Sequence, residues 1–261
     1  MRIWGKVLGF LFGFMLSKNI FGALLGMWLG HRFDRGLGFD FSDLTQKESS
    51  IQADFLYTTF SVMGFLAKAN GRVTKHEIAF ASAYMDQLGL ENEMRQQAQD
   101  AFREGKTLGF PLKERLKKFK RSCGNRHDLL LMFLEIQIQL AFADGELDID
   151  ERQVLHTIAS TLGFSQQDLD RLLDMIIAGA QFKQNNIGNE TEQIEHAYKI
   201  LGVTEASSAQ EIKKAYRKLM SQHHPDKLVA KGLPPEMMEM AKQKAQEIQA
   251  AYDLVLRQLK K

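Results

Sequence analysis

Residues 7–29, VLGFLFGFMLSKNIFGALLGMWL, form an apolar run of 23 residues broken by one charge, Lys18. No other feature constrains this chain as strongly, because about 20 apolar residues in a helix match the thickness of a bilayer's hydrocarbon core. The spacing predicts a short tail at residues 1–6, a single transmembrane helix at 7–31 and a polar juxtamembrane linker at 32–50. Trp4 and Trp28 fall near the two ends, where indole rings favour the interface. Arg2 and Lys6 precede the run, whereas His31, Arg32 and Arg35 follow it, with Lys47 a little later. This small excess of cations puts the C-terminal body on the cytoplasmic side. A secretory signal peptide is the rival reading, with Arg2 and Lys6 ahead of a 7–16 apolar stretch. Against it, Ser17-Lys18-Asn19 is no small-x-small cleavage site, and the apolar character then resumes. Lys18 near mid-membrane is costly unless paired or turned to an interior. It also suits a turn between two half-length segments, but each half is too short to span. Gly5, Gly9 and Gly13, then Gly22, Gly26 and Gly30, recur every fourth residue and line one helix face. Such faces let backbones approach closely, which predicts a homodimer through the span. The opposing reading is that glycine is simply common in membrane helices.

The rest of the chain has the makings of a folded body. Lys and Arg number 34 against 32 Asp and Glu, a net charge of +2, which rules out an acidic tail and gives no sign of nucleic-acid binding. The single cysteine, Cys123, excludes an internal disulfide framework and a four-cysteine zinc site, and points to a reducing compartment.

Residues 51–178 contain a duplication. An offset of 74 residues carries Leu66-Ala67-Lys68-Ala69-Asn70-Gly71-Arg72-Val73 onto Leu140-Ala141-Phe142-Ala143-Asp144-Gly145-Glu146-Leu147. Glu77 then falls on Glu151, and Leu88-Gly89-Leu90 on Leu162-Gly163-Phe164. Each copy reads helix, Asn/Asp-Gly turn, helix. Thr74-x-x-Glu77 and Asp148-x-x-Glu151 have capping-box spacing, and Gly89 and Gly163 suit left-handed helix ends. The fold class is therefore all-α. The oxygens of Asp144, Glu146, Asp148, Asp150 and Glu151 raise a calcium hypothesis, but the glycine and glutamate of an EF-hand loop are out of register. Helix capping is the stronger reading, and no metal is expected. The basic run at 113–121, KERLKKFKR, suits a solvated helix face better than a phosphate site. With its paired, turn-flanked repeats this body resembles the TerB-like helical domain, a likeness that speaks to fold more than to function.

After a polar stretch at 179–193, taken as a linker, IEHAYKILGV reads as a short helix ending at Gly202. Ser208-x-x-Glu211 opens a helix from Ala209 to about His223. At 100° per residue, Ile212, Ala215, Tyr216 and Leu219 share one side, and Lys213, Lys214, Arg217 and Lys218 the other. Pro225 stops the helix, which sets His224-Pro225-Asp226 at a sharp, exposed turn. A loop through Lys227, Lys231, Gly232, Pro234 and Pro235 leads to a long helix from about Glu236. Its apolar stripe is Met237, Ala241, Ala245, Ile248, Tyr252, Val255 and Leu259, so the two helices form a hairpin.

Tyr198-x-x-Leu201-Gly202-Val203, the helix from Ile212 to Leu219, His224-Pro225-Asp226 and Ile248-x-x-Ala251-Tyr252 stand in the order of a J-domain, which residues 194–261 resemble. The order of span, TerB-like body and terminal J-domain resembles the DjlA-type family of membrane-anchored DnaJ-like co-chaperones of Gram-negative bacteria. That resemblance implies stimulation of ATP hydrolysis by a DnaK-type chaperone. His224, Pro225 and Asp226 would engage its ATPase domain, and Lys213, Lys214, Arg217 and Lys218 an acidic surface on it. It also implies a bacterial inner-membrane protein with a periplasmic N-terminus, no enzyme activity and no cofactor. Two features depart from the common DnaJ pattern. The Gly/Phe-rich segment and the CxxCxGxG repeats are missing, which argues for a dedicated co-chaperone, and the loop at 227–235 is long. The competing reading is an envelope-stress or signalling adaptor that works through the TerB-like body. A hydrolase fares poorly, with no P-loop, nucleophile elbow or zinc-protease helix. Cys123 and His127 are a candidate pair at helical spacing, although a lone shielded cysteine explains Cys123 better.

Overall fold

The computed structural model describes residues 41–71, 73–145, 147–184 and 190–259. The predicted span, Lys18 and the glycines Gly5, Gly9, Gly13, Gly22, Gly26 and Gly30 lie outside the described residues. Among the described residues no helix is long and apolar enough to cross a membrane. All described elements are helical: α1 Phe41–Leu66, α2 Lys75–Gln87, α3 Asn92–Gly105, α4 Leu112–Cys123, α5 His127–Ala141, α6 Ile149–Leu162, α7 Gln166–Gln184, α8 Glu190–Leu201, α9 Ala209–Gln222, the short α10 Pro225–Ala230, a 3-10 turn at Pro235–Met237, and α11 Met238–Gln258.

Local chemistry sets the helix starts. The Thr74 amide donates to Glu77 at 2.7 Å while the Glu77 amide donates to the Thr74 hydroxyl at 3.2 Å, so both arms of the capping box exist. In the second copy the Asp148 amide donates to Glu151 at 3.2 Å and the Asp148 carboxylate accepts from the Asp150 amide at 3.3 Å. The turn glycines repeat as well, with φ +84° at Gly71 and +94° at Gly145, a region closed to most side chains. A further box at Ser165 and Asp168, which the sequence reading does not include, opens α7.

Helix α5 is the axis of the body. Twelve of its residues are buried, from Leu129 to Ala141, and a helix apolar on all sides belongs at the centre. Phe133 meets Phe119 of α4 at 4.8 Å and Phe55 of α1 at 6.2 Å between ring centres. Helices α1 and α3 come unusually close. A Cβ on Gly64 would lie 2.0 Å from the Phe102 carbonyl oxygen, and one on Gly105 1.8 Å from that of Ser61.

Two stretches read as connectors are helical where they are described. Helix α1 takes in residues 41–50 of the expected juxtamembrane linker, and α7 and α8 take in 179–184 and 190–193 of the expected second linker. Ala178, near the end of α7, lies in the same buried cluster as Ile194, Ala197, Tyr198, Ile212, Ile248, Ala251 and Val255 of the C-terminal helices. The largest departure follows the proline turn. Residues 225–230 form α10 and 235–237 the 3-10 turn where the sequence reads as an open loop, and Leu228, Leu233, Met237 and Ala241 join the core cluster of the body. The body and the C-terminal helices belong to one compact unit, Glu48–Lys261.

Candidate functional site

The sequence singled out α9 and the turn after it. Ser208 caps α9, its hydroxyl accepting from the Glu211 amide at 3.3 Å while its own amide donates to Glu211 at 2.7 Å. The apolar side then faces inward. Ile212 is fully buried, Tyr216 stacks on Tyr252 at 4.1 Å with the rings 10° apart, and the Tyr216 hydroxyl donates to Gln249 of α11. Lys213, Lys214, Arg217 and Lys218 are all exposed on the opposite side. The amphipathic period thus puts four cations on one free helix face.

Helix α9 stops at Gln222, and His224 adopts φ −67° and ψ 121°, the extended backbone that a following proline demands. Pro225 occupies the first position of α10, where its fixed φ suits a helix and its missing N–H goes unneeded. The Leu228 amide closes the turn on the His224 carbonyl at 3.0 Å. Asp226 and Lys227 are exposed, whereas His224 and Pro225 are half-buried, so the turn is less open than its sequence implies. The Nδ1 atom of His224 is buried with no hydrogen-bond partner among the described residues. The turn thus presents one exposed carboxylate beside a helix face of four exposed cations.

Behind the turn lies a pair of residues that sequence reasoning missed. His223 is 1% exposed and Glu135, in the middle of α5, is 2% exposed. The His223 Nε2 stands 2.9 and 3.1 Å from the two Glu135 oxygens, and its Nδ1 stands 2.9 Å from the Leu219 carbonyl. With Glu135 ionised, both partners accept, so both ring nitrogens donate and the ring is an imidazolium. Burial alone would push the histidine down and the glutamate up, but each charge stabilises the other, leaving His223 raised and Glu135 lowered. Lys244 and Glu247 of α11 are paired at 2.9 Å; Lys244 acts on both groups and Glu247 on Glu135. A signal existed in the sequence: LLLMFLEIQIQLA holds one acid among apolar residues and two glutamines, and a buried acid needs a partner.

The remaining candidates separate from this surface. Asp148 and Glu151 are engaged in capping α6, and among the described residues no cluster of histidine, cysteine and acid is arranged to hold a metal ion. Glu151 is pushed up to about 7 by burial, with Glu77, Asp144 and Asp148 adding to the effect. Cys123 is buried and its thiol is pushed up to about 12, chiefly by burial, while His127 packs on the Phe164 ring at 4.7 Å. In the 113–121 run, Leu116 and Phe119 are buried and Lys113, Lys117 and Lys118 exposed, an ordinary amphipathic helix.

Comparison with known families matches the co-chaperone DjlA transmembrane domain at residues 1–40, tellurite resistance protein TerB at 58–174 and the DnaJ domain at 196–261. The chain is 52% identical to the co-chaperone protein DjlA of Photobacterium profundum over 97% of this chain and 98% of that protein. Identity is 50% with the co-chaperone protein DjlA of Yersinia pestis, over 99% of both chains. With that of Escherichia coli K12 it is 48%, over 99% of this chain and 98% of that protein. No solved structure matches.

Proposed function

The chain belongs to the family of DjlA co-chaperones, and from that premise we propose that its J-domain stimulates ATP hydrolysis by a cytosolic DnaK-type chaperone. In this reading residues 7–31 hold the protein, and with it the partner, at the bacterial inner membrane. The N-terminus is periplasmic and the body cytoplasmic. The observation that carries the reading is the exposed face of Lys213, Lys214, Arg217 and Lys218 running into the exposed Asp226 of the turn.

The physical division of labour is simple. Clustered exposed cations steer an acidic surface into an oriented encounter, which raises the association rate and weakens with salt. Asp226 then offers a carboxylate for charge-assisted hydrogen bonds to a partner guanidinium, with His224 and Pro225 fixing its direction. ATP is cleaved on the partner, so this chain acts by binding, as neither an enzyme nor a cofactor carrier. The glycine trios of the span pair two copies in the membrane.

The test is single-turnover ATP hydrolysis by a bacterial DnaK with the full chain in detergent, wild type against His224→Gln. Stimulation by the wild type that disappears in the variant supports the reading. Equal stimulation by both, or none by either, sinks it. The adaptor reading draws on a separate feature, a largely apolar groove of about 540 Å³ on the body, bordered by Leu56, Tyr57, Met94 and Ala98. Binding through that groove would survive His224→Gln.

A further inference from the structure

We propose that Glu135 of the helical body is a positioning residue for the J-domain: through His223 it holds the His224-Pro225-Asp226 turn in the orientation that engages the chaperone. The proposal deepens the co-chaperone reading and rests on it.

The body grips the turn on both flanks. On the near side, the imidazolium of His223 is fixed between the Leu219 carbonyl and the two oxygens of Glu135. Two contacts from opposite edges of one ring set its plane as well as its place. On the far side, Leu228 is 1% exposed and Leu233 fully buried, both within the core of the body, and Lys231 forms an ion pair with Asp128. Asp128 and Glu135 are both on α5. One helix of the body therefore anchors the chain before the turn and after it. Only residues 224–227 lie between the anchors at 223 and 228, and the bond from the Leu228 amide to the His224 carbonyl closes that span.

The electrostatics fit a positioning device. His223, Glu135, Lys244 and Glu247 form two cations and two anions with no net charge. Beside them an open cleft is bordered by His127, Asp168, Arg171 and Lys218. Apolar side chains of like volume would join two packed surfaces as well as a buried ion pair does, or better. What the pair adds is direction: only one arrangement satisfies both nitrogens and both oxygens. Lys213, Lys214 and Arg217 of α9 are exposed away from this cleft, and Lys218, which borders it, is exposed as well, so the basic face does not depend on the pair. Recognition and triggering are thereby separable. Loss of the pair should leave the encounter intact and spoil the alignment of Asp226.

The experiment uses the full chain in detergent, as wild type, Glu135→Gln and Glu135→Asp. Hydrogen exchange is followed at the amides of 223–228 other than Pro225, which carries no N–H. Single-turnover ATP hydrolysis by a bacterial DnaK is measured over a range of co-chaperone concentrations. In Glu135→Gln the turn should exchange about tenfold faster or more, the factor that a lost hydrogen bond to a charged group commonly carries. Amides in the middle of α5 should keep wild-type protection, which distinguishes a loosened turn from an unfolded body. Maximal stimulation should fall at least severalfold while the half-saturating concentration stays near wild type. A merely structural defect would reduce the active fraction and raise the half-saturating concentration instead. Glu135→Asp retains the charge and should restore part of both properties, which covers the case in which the glutamine variant fails to fold. Wild-type exchange in the turn of Glu135→Gln, or wild-type maximal stimulation despite faster exchange, overturns the positioning role. A wild-type chain that gives no stimulation overturns the co-chaperone reading itself, and the positioning role with it.

Discussion

Replacing Leu233 by alanine separates two accounts of the segment after the proline turn. In a solvated loop, the change would move stability within about 0.5 kcal/mol, as surface substitutions do. The structure gives a different expectation. Leu233 has no exposed surface and lies in the core cluster of the body. Its neighbour Gly232 sits against α1, where an added Cβ would be 3.1 Å from Ile51. The site has little freedom to collapse, because the Leu233 amide is held by the Leu228 carbonyl at 2.9 Å and buried Pro234 follows. Burial of this kind puts Leu233→Ala at about 3 kcal/mol, inside the range of about 2–5 kcal/mol for leucine truncation in cores. For a unit of this size that is a fall in Tm of about 6–12 °C. Thermal and urea unfolding of the full chain in detergent, followed by circular dichroism, reads both quantities. The urea midpoint should fall with the slope unchanged. Leu259→Ala, at a residue 45% exposed, is the control and should leave Tm nearly unmoved. A Leu233→Ala chain that melts within about 2 °C of wild type would falsify the docking of this segment on the body.

Other outcomes follow from the same structure. Gly64→Ala gains about 1 kcal/mol of helix propensity, yet it drives a methyl group against the Phe102 carbonyl, so Tm should fall rather than rise; a stabilised variant would refute the close crossing of α1 and α3. Glu151→Gln keeps an oxygen for the Asp148 amide but removes a carboxylate held up at about 7, so it should raise Tm near pH 8 and change little near pH 5. A difference in Tm between variant and wild type that is the same at both values would refute the raised carboxyl, and with it the burial and the repulsion from Glu77, Asp144 and Asp148 that raise it. The His223–Glu135 contact defines a pH window. The histidine is raised from 6.5, so its contribution is complete below that value and is lost as pH rises through the folded value. The glutamate is lowered from 4.5, so its contribution is lost as pH falls through a value below that. Protection of the 223–228 amides should therefore peak between the two limits, and a flat profile in wild type would argue against a charged pair. Lys244, which acts on both groups, and Glu247, which acts on Glu135, shape the same profile.

Much of the local structure could be read without coordinates. The boxes at Thr74, Asp148 and Ser208 involve partners three residues apart, and all three form. The same is true of the turn at Gly71 and its copy at Gly145, and of the two-sided α9. These features depend on backbone groups and side chains within about one helical turn, so the chain carries them wherever it goes. Reading fails where polarity is mistaken for irregular backbone. The polar 179–193 stretch looks like linker, yet most of it continues α7 or begins α8. The 227–235 stretch has prolines, glycine and lysines, the composition of a loop, yet its two leucines are buried by a surface far away in the chain.

The sequence by itself therefore determined the all-α class, the capping boxes at Thr74, Asp148 and Ser208 and the exposed basic face beside His224-Pro225-Asp226, together with the family to which the chain belongs. Only the tertiary structure decided that the turn is held from behind. Glu135 and His223 are 88 residues apart, and no local period or spacing links them. A buried acid needs a counter-charge, but which histidine supplies it depends on how the C-terminal helices dock on α5. That docking follows from the area and shape of two surfaces that no single stretch of chain contains.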